Sequence, residues 1–385
     1  MTPLTPPPLS LYVHLPWCVR KCPYCDFNSH AQKGQLPFDA YIDALIRDLE
    51  HDLPLVWGRT VQSMFFGGGT PSLFAPEFVD RFLQQASARL RIAPHAEITL
   101  ETNPGTVEHG PFAQYRAAGV NRISLGVQSF DDGCLARLGR IHSAGEAERA
   151  VKSAQDAGID RLNLDLMYAL PAQTLAMAEA DIQHAIALQP GHISHYQLTL
   201  EPNTLFAAKP PQDIPDADSG WDMQERCQAL LAQAGFAQYE VSAYARPGQQ
   251  CAHNLNYWTF GDYLGIGAGA HGKITLGAEQ RVVRRWKIKH PDAYLRHAGT
   301  LSAIGGDETL EADRLPFDFM LNALRLLDGV PMHLFEARTG LPRDDIAEQL
   351  ARGVANGWLE AGQGHLRATE FGQRFLNDVI ALFLP

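Results

Sequence analysis

The sequence predicts an α/β fold with six strand–helix units in succession: a parallel sheet with its helices outside, arranged as a partial barrel or as a doubly wound sheet. A small, mainly helical, winged-helix-like unit follows. Three observations carry this reading. Apolar runs alternate with helical patterns from about residue 10 to 205. Polar and glycine-rich motifs fall where the strands end, and the alternation stops after Pro210.

The strands are expected at LYVHLP, SMFFGG, EITLET, NRISLGVQS, RLNLDLMYAL and HISHYQLTLE. They read as near-continuous apolar runs, as strands buried on both faces do. Between them, FDAYIDALIRDLEHDL, PEFVDRFLQQASARLR, FAQYRAAG, AGEAERAVKSAQDAG and LAMAEADIQHAIALQ have helical periodicity. Beyond Pro210, PPQDIPDADSG is a loop, WDMQERCQALLAQAG a helix and QYEVSAYA a strand. A glycine- and aromatic-rich stretch, HNLNYWTFGDYLGIGAGAHGK, comes next, and RVVRRWKIKH after it alternates like a strand with a basic face. Residues 1–305 form the expected first domain. Residues 306–385 form the second, where helix, helix, a glycine-containing hairpin and a final helix resemble a winged helix.

With 385 residues, 45% apolar and 19% charged, the chain is an ordinary globular one able to bury a core. A net charge of −11 argues against non-specific nucleic-acid binding. The C-terminal unit, with 13 Asp/Glu against 7 Arg and no Lys, argues against DNA recognition in particular. No run approaches the ~20 apolar residues of a membrane span, so any membrane contact is peripheral. The first residues lack the basic start and apolar core of a signal peptide. Six cysteines without an export signal place the expected protein in the cytoplasm.

Cys18, Cys22 and Cys25 follow the first strand at C-x3-C-x2-C spacing. Three thiolates can hold three irons of a [4Fe–4S] cube and leave the fourth iron open. An open iron is what S-adenosylmethionine needs to chelate the cluster through its amine and carboxylate. Structural zinc wants four ligands, and the nearest candidates, His14 and His30, stand at no typical spacing. A disulfide would leave one thiol over. Cys134, Cys227 and Cys251 are scattered and read as core or surface thiols.

Gly67, Gly68 and Gly69, then Thr70 and Pro71, come straight off the second strand. Glycines let backbone approach a ligand closely, and the missing GK[ST] ending argues against a phosphate loop. This stretch is expected to hold the methionine amino end of the cofactor. Glu101, Gln128 and Asp165 stand at the ends of successive strands, with Arg140 nearby. Such groups match an ammonium, a carboxylate and ribose hydroxyls. Taken singly, each reads equally as an ordinary ion pair; as a set at one sheet edge, they converge on a site. Asp165, inside LNLDLM, needs a partner if buried. Tyr12 reads as core or as a hydroxyl that reaches the cofactor, and Tyr24 as a shield for the cluster or a stacking surface near adenine. His253 reads as a buried structural histidine or as an axial ligand of haem iron beside Tyr257 and Trp258. His271 is a weaker candidate of the same kind, and His142 is a neighbour of Arg140.

YVHLPWCVRKCPYCDFNSH, FFGGGTPSLF, NRISLGVQSF, LNLDLMYALPAQT and HNLNYW together resemble radical S-adenosylmethionine proteins of the coproporphyrinogen dehydrogenase superfamily, over nearly the whole chain. Within it they are most similar to the HemW-type haem chaperones. The resemblance implies a partial parallel (β/α)6 barrel of radical SAM type and a [4Fe–4S] cluster on Cys18, Cys22 and Cys25. It implies S-adenosylmethionine contacts at Tyr12, Gly68, Gly69, Thr70, Glu101, Gln128, Arg140 and Asp165, and haem at His253. The oxidative decarboxylase of haem synthesis shares this core but extends the cysteine motif to C-x3-C-x2-C-x-C, where this chain has Phe27. That enzyme also carries a long N-terminal arm, whereas about ten residues precede the first strand here.

Two functions are weighed on that basis. One is a haem chaperone that carries haem as cargo and passes it to a haem-accepting protein such as a respiratory enzyme. The other is an oxygen-independent coproporphyrinogen III oxidase. In either case the basic stretch Arg281–His290 reads as a solvated face, or as a surface for propionates, lipid headgroups or an acidic partner.

Overall fold

The computed structural model describes residues 3–105, 111–360, 362 and 364–385. The six expected strands form as β1 Leu9–Leu15, β2 Thr60–Gly68, β3 Arg91–Thr102, β4 Arg122–Gln128, β5 Arg161–Tyr168 and β6 His192–Gln197. They pair in that order and all run parallel. Helices connect them, among them Phe38–Asp52, Pro76–Ser87, Ala144–Asp156 and Leu175–Ala187. The helix at Ala144 starts where SAGE places it. Ser143 caps the Glu146 amide and Glu146 answers the Ser143 amide, which satisfies two otherwise orphaned donors.

The sheet continues beyond these six strands on both sides. QYEVSAYA, expected as one strand, is a hairpin of β7 Ala237–Glu240 and β8 Ala243–Ala245, with β8 antiparallel to β6. On the other side β9 Asp262–Ile266 runs parallel to β1. Then β10 His271–Leu276, β11 Arg281–Lys287 and β12 Ile304–Thr309 follow antiparallel. The sheet is therefore mixed and twelve-stranded, in the order β12-β11-β10-β9-β1-β2-β3-β4-β5-β6-β8-β7. Its edge strands β12 and β7 do not pair, so the barrel is partial. Sequence reading passes over β9 because GDYLGIGAGAHG looks like a glycine-rich loop. The glycine at 265 has a packing cause: a Cβ there would lie 2.0 Å from the His271 carbonyl oxygen.

The strands are two-faced rather than continuously apolar. On β5, Leu162, Leu164 and Leu166 join the core under the helices, with Leu45, Phe82, Val151 and Ile182. Asn163 and Asp165 turn inward, where Asn163 Nδ2 donates to Ser124 Oγ and to Asp165 Oδ1, each at 2.8 Å. A barrel interior that carries a hydrogen-bonded polar layer needs this period-two alternation.

The expected boundary at residue 306 falls inside β12, which pairs with β11. The helical unit begins beyond it at helix Leu315–Ala323, followed by helices His333–Thr339 and Ala347–Ala355. A small antiparallel sheet of Val330–Pro331, Leu359–Glu360 and His365–Ala368 supplies the hairpin. Phe319, Phe335 and Leu366 of this unit share one core with Tyr239, Phe260 and Val282 of the main body. The basic residues of β11 are ion-paired, and Lys287 among them is buried, while Arg281, Arg284 and Arg285 stay part-exposed. Arg281 pairs with Glu279, Arg285 with Asp52 and Asp307, and Lys287 with Asp48 and Asp52. Among the described residues, no helix is long and apolar enough to cross a membrane.

Candidate functional site

The cysteine loop leaves β1 and is held at both ends. Trp17 and Cys18 form a short parallel ladder with His30 and Ala31, and Gln32 N–H donates to Cys18 O at 2.7 Å. Asn28 Nδ2 ties the loop to Ala268 O and Lys289 O, each at 2.9 Å. All six cysteines are free thiols, so the disulfide alternative does not form. Neither zinc-completing candidate is available. His14 bonds Tyr12 Oη and Asn28 O, each at 2.9 Å, and His30 faces Asn28 Oδ1.

Cys18, Cys22 and Cys25 converge on one cavity of about 570 Å³. Gly68, Gly69, Thr70, Tyr24 and Gln128 line the same cavity, as do Glu101, Arg140 and Asp165. The glycines serve close chain packing. A Cβ at Gly68, where φ is +114°, would lie 2.5 Å from the His14 ring; one at Gly69 would lie 2.5 Å from Trp17 O. The amides of this turn are already engaged, by Glu101 Oε2 for Gly68, Leu15 O for Gly69 and Trp17 O for Thr70. That removes the free N–H groups a phosphate loop would need.

The polar residues bear the marks of a ligand site. Burial, reinforced by the negative charge of Asp165, pushes the Glu101 carboxyl up to about 8. Burial raises Asp165 as well, although Ser124 Oγ donates to it at 2.9 Å and Asn163 also donates. Neither carboxyl has an ion-pair partner among the described residues. Arg140 Nη1 stands 3.6 Å from Cys22 Sγ and Nη2 donates to Gly126 O at 2.6 Å. Its buried Nε has no partner among the described residues. Gln128 ends β4 at φ 70°, beyond a register shift after Gly126 that re-aims the side chain; its Oε1 accepts from Tyr196 Oη at 2.9 Å. Burial raises the thiols of Cys18 and Cys25, while hydroxyls of Thr70 and Ser29 work against that.

A second cavity of about 590 Å³ adjoins the first, the two sharing Asp26, Phe27, Gly68, Glu101 and Trp258. Its walls are largely aromatic: Tyr12, Phe65, Tyr257, Phe260 and Tyr263 besides the shared residues. Tyr12 therefore belongs to this cavity and not to the cysteine cavity, with its hydroxyl on His14.

His253 lines neither cavity. It is buried on the helix Ala252–Trp258, its Nδ1 lies 3.3 Å from Glu97 Oε1, and its ring packs on Phe65 with centroids 4.3 Å apart. Burial would raise Glu97, but His253 and Arg122 outweigh it and hold the carboxyl at about 2. Glu97 also accepts the Ala252 amide at 2.8 Å, so one carboxylate anchors the N-terminus of that helix. His142 is turned away, its Nε2 on Val127 O at 3.0 Å. Sequence reading missed Ser124, Ser194 and Tyr196, which line the cysteine cavity. The available signal was strand alternation: each lies on the inward face of a strand already singled out.

A family model described as the Radical SAM superfamily matches residues 12–185, and one described as the HemN C-terminal domain matches residues 310–375. The chain is 50% identical over 378 residues to the heme chaperone HemW of Escherichia coli (strain K12), covering 98% of each chain. It is 48% identical over 382 residues to the heme chaperone HemW of Haemophilus influenzae, again with 98% of each covered. Coproporphyrinogen III oxidase (HemN) from Escherichia coli shares the fold, with a TM-score of 0.81 over 98% of this chain and 90% of that one, at 24% identity. Fold and family model together define a radical S-adenosylmethionine protein, a class that implies a [4Fe–4S] cluster and S-adenosylmethionine. Within that class, the chain belongs to the HemW family.

Proposed function

We propose that the chain is a haem chaperone: it binds haem and transfers it to an acceptor haem protein such as a respiratory enzyme. The observation that carries this reading is the aromatic cavity beside the cysteine cavity, walled by Tyr257 and Trp258 of HNLNYW. A large aromatic-lined space next to a complete polar one provides for a second, flat, apolar ligand. Six free thiols suit a reducing compartment, and the cytoplasm is part of the proposal.

In this reading Cys18, Cys22 and Cys25 hold the cluster. The residues fit it: three thiols reach one cavity, and the Arg140 guanidinium beside Cys22 offsets the negative charge of the thiolates. Because burial raises two of the thiols, loading releases protons and weakens in acid. S-adenosylmethionine is assigned to the same cavity. Glu101 and Asp165, two buried carboxyls without an ion-pair partner among the described residues, draw its ammonium and ribose hydroxyls, and Arg140 presents a spare donor to its carboxylate. Gly68, Gly69, Thr70, Gln128 and Tyr24 complete that wall, and Tyr12, in the adjoining cavity, stands near Glu101. When bound, the pair supplies one-electron radical chemistry.

His253 is the proposed iron ligand. A metal-binding histidine commonly gives its other ring nitrogen to a carboxylate, and Glu97 stands in that position. The ring lies behind Phe65, so iron reaches it only as that side chain yields. The second reading, decarboxylation of a porphyrinogen, is favoured by the full polar set around the cysteine cavity.

The test is an anaerobic haem titration of the cluster-loaded protein, alongside His253→Ala and Cys22→Ser. Saturation near one haem per chain, with an altered spectrum for His253→Ala, is expected. Cys22→Ser should lose the iron–sulfur absorbance. No saturable haem binding, together with carbon dioxide release from coproporphyrinogen, would replace the chaperone by the enzyme.

A further inference from the structure

Cationic side chains reach the aromatic cavity from one wall. His271 and Lys273 lie on β10, Arg284 pairs across from Lys273 on β11, and Lys289 follows two residues after β11 ends. All four line the cavity. Their charge is not equally available. Lys273 is buried, donates to Asp262 Oδ1 at 3.0 Å and rests on the Phe260 ring at 4.3 Å, so its charge is already balanced. Arg284 meets Asp318 at 3.2 Å, and Arg314 bridges that carboxylate at 3.4 Å to Glu308 at 2.8 Å, so the Arg284 charge is paired while its side chain stays 30% exposed. The exposed Lys289 side chain has no ion pair or hydrogen bond among the described residues.

His271 lies between these cations and stacks on Trp286. Burial, aided by Lys289 and Arg284, lowers its pKa, so it adds no third charge at neutral pH. The acidic wall residues, Asp26 and Glu101, are the ones shared with the cysteine cavity. The cavity is therefore polarised: an aromatic middle, Asp26 at the junction with the cysteine cavity, and a wall that carries Lys289 without an ion pair among the described residues and the part-exposed, paired Arg284. A flat apolar ring with two carboxylates on one edge fits this pattern in one orientation only.

Resting on the haem-chaperone reading, we infer that the aromatic cavity is the haem pocket and that Arg284 and Lys289 bind the two haem propionates. Arg284 offers a planar fork to one carboxylate and Lys289 a point charge to the other. Asp26, at the junction of the two cavities, disfavours the reversed pose, so the apolar edge points toward the cysteine cavity. The basic stretch singled out in the sequence thus divides. Arg285 and Lys287 tie the strand to Asp48 and Asp52, Arg281 pairs locally with Glu279, and Arg284 and Lys289 recognise the ligand.

The experiment compares haem with haem dimethyl ester, whose carboxylates are blocked, on the full-length cluster-loaded protein. The intact protein should bind haem at least tenfold more tightly than the ester. Lys289→Glu should weaken haem binding tenfold or more and leave ester binding unchanged. Lys289 is exposed, so this variant carries little folding risk. Arg284→Gln should act in the same direction, and Arg281→Gln, on a side chain paired with Glu279, should have no effect. Equal affinity of the intact protein for haem and ester would overturn the inference while leaving the chaperone standing. So would an unchanged haem-to-ester ratio in both Lys289→Glu and Arg284→Gln. Binding of neither ligand by the intact protein would overturn the chaperone reading itself.

Discussion

Glu101 is the residue on which the cofactor cavity turns. Buried, facing Asp165 and without an ion-pair partner among the described residues, its carboxyl is raised to about 8 and is mostly protonated at neutral pH. A cationic ligand group binds the ionised form, so binding must displace that proton. The affinity for S-adenosylmethionine should therefore climb with pH, by up to about tenfold per unit, to a maximum at about pH 8, above which the ligand's α-amino group loses its own charge. Equilibrium dialysis from pH 6 to pH 9 checks this. Glu101→Gln should bind more weakly and lose the rise below about pH 8, and a variant that retained that rise would assign the titration to another group.

At the scale of elements, the helix Ala252–Trp258 is too short to be stable by its own hydrogen bonds. Glu97 fixes it, accepting from its first amides on Oε1 and from Arg122 Nε at 2.8 Å on Oε2. Arg122 is fully buried and also donates to Gln249 O and Gln250 O in the segment leading to that helix. Removing one partner of a buried ion pair costs about 3–5 kcal/mol because the other is left uncompensated. Glu97→Ala should lose that much stability in urea unfolding, whereas Glu97→Gln, which still accepts the amides, should lose less. A change below about 1 kcal/mol in Glu97→Ala would mean that the helix is held by its aromatic contacts alone.

Across the whole molecule, buried titratable groups oppose one another. His192 and His195 are held down at about 3, and His14 and His142 at about 4, mainly by burial. Their folded-state values lie below the unfolded value of 6.5, so their stabilising contribution is full above it and is lost as pH falls. Glu101 works the other way: its contribution is full below the unfolded 4.5 and is lost as pH rises toward about 8. Asp181, raised by burial from 3.8 to about 6, adds to that limb. The melting temperature of the protein without cofactors should peak at about pH 7 and fall on both sides. Glu101→Gln should flatten the alkaline side only, and an unchanged alkaline limb would count against the buried carboxyl.

The sequence by itself determined the six parallel strands, the helices between them and the convergence of cysteines, glycines and acids on one sheet edge. These follow from local rules: hydrophobic period, turn chemistry and a metal-binding spacing, each legible within a few residues. Tertiary structure alone decided the rest. β9 and Gly265 depend on how closely two strands approach, and the join between the C-terminal unit and the main body depends on a shared core. Tyr12 and His253 sit on motifs that point to a site, yet the wall each side chain faces is set by strand curvature and by partners such as Glu97, about 150 residues away in the chain. The basic stretch after Arg281 is uniform as a sequence. Only packing against Asp48, Asp52 and Asp307 separates its structural charges from the two left facing a cavity, because charge pairing is a property of positions in space.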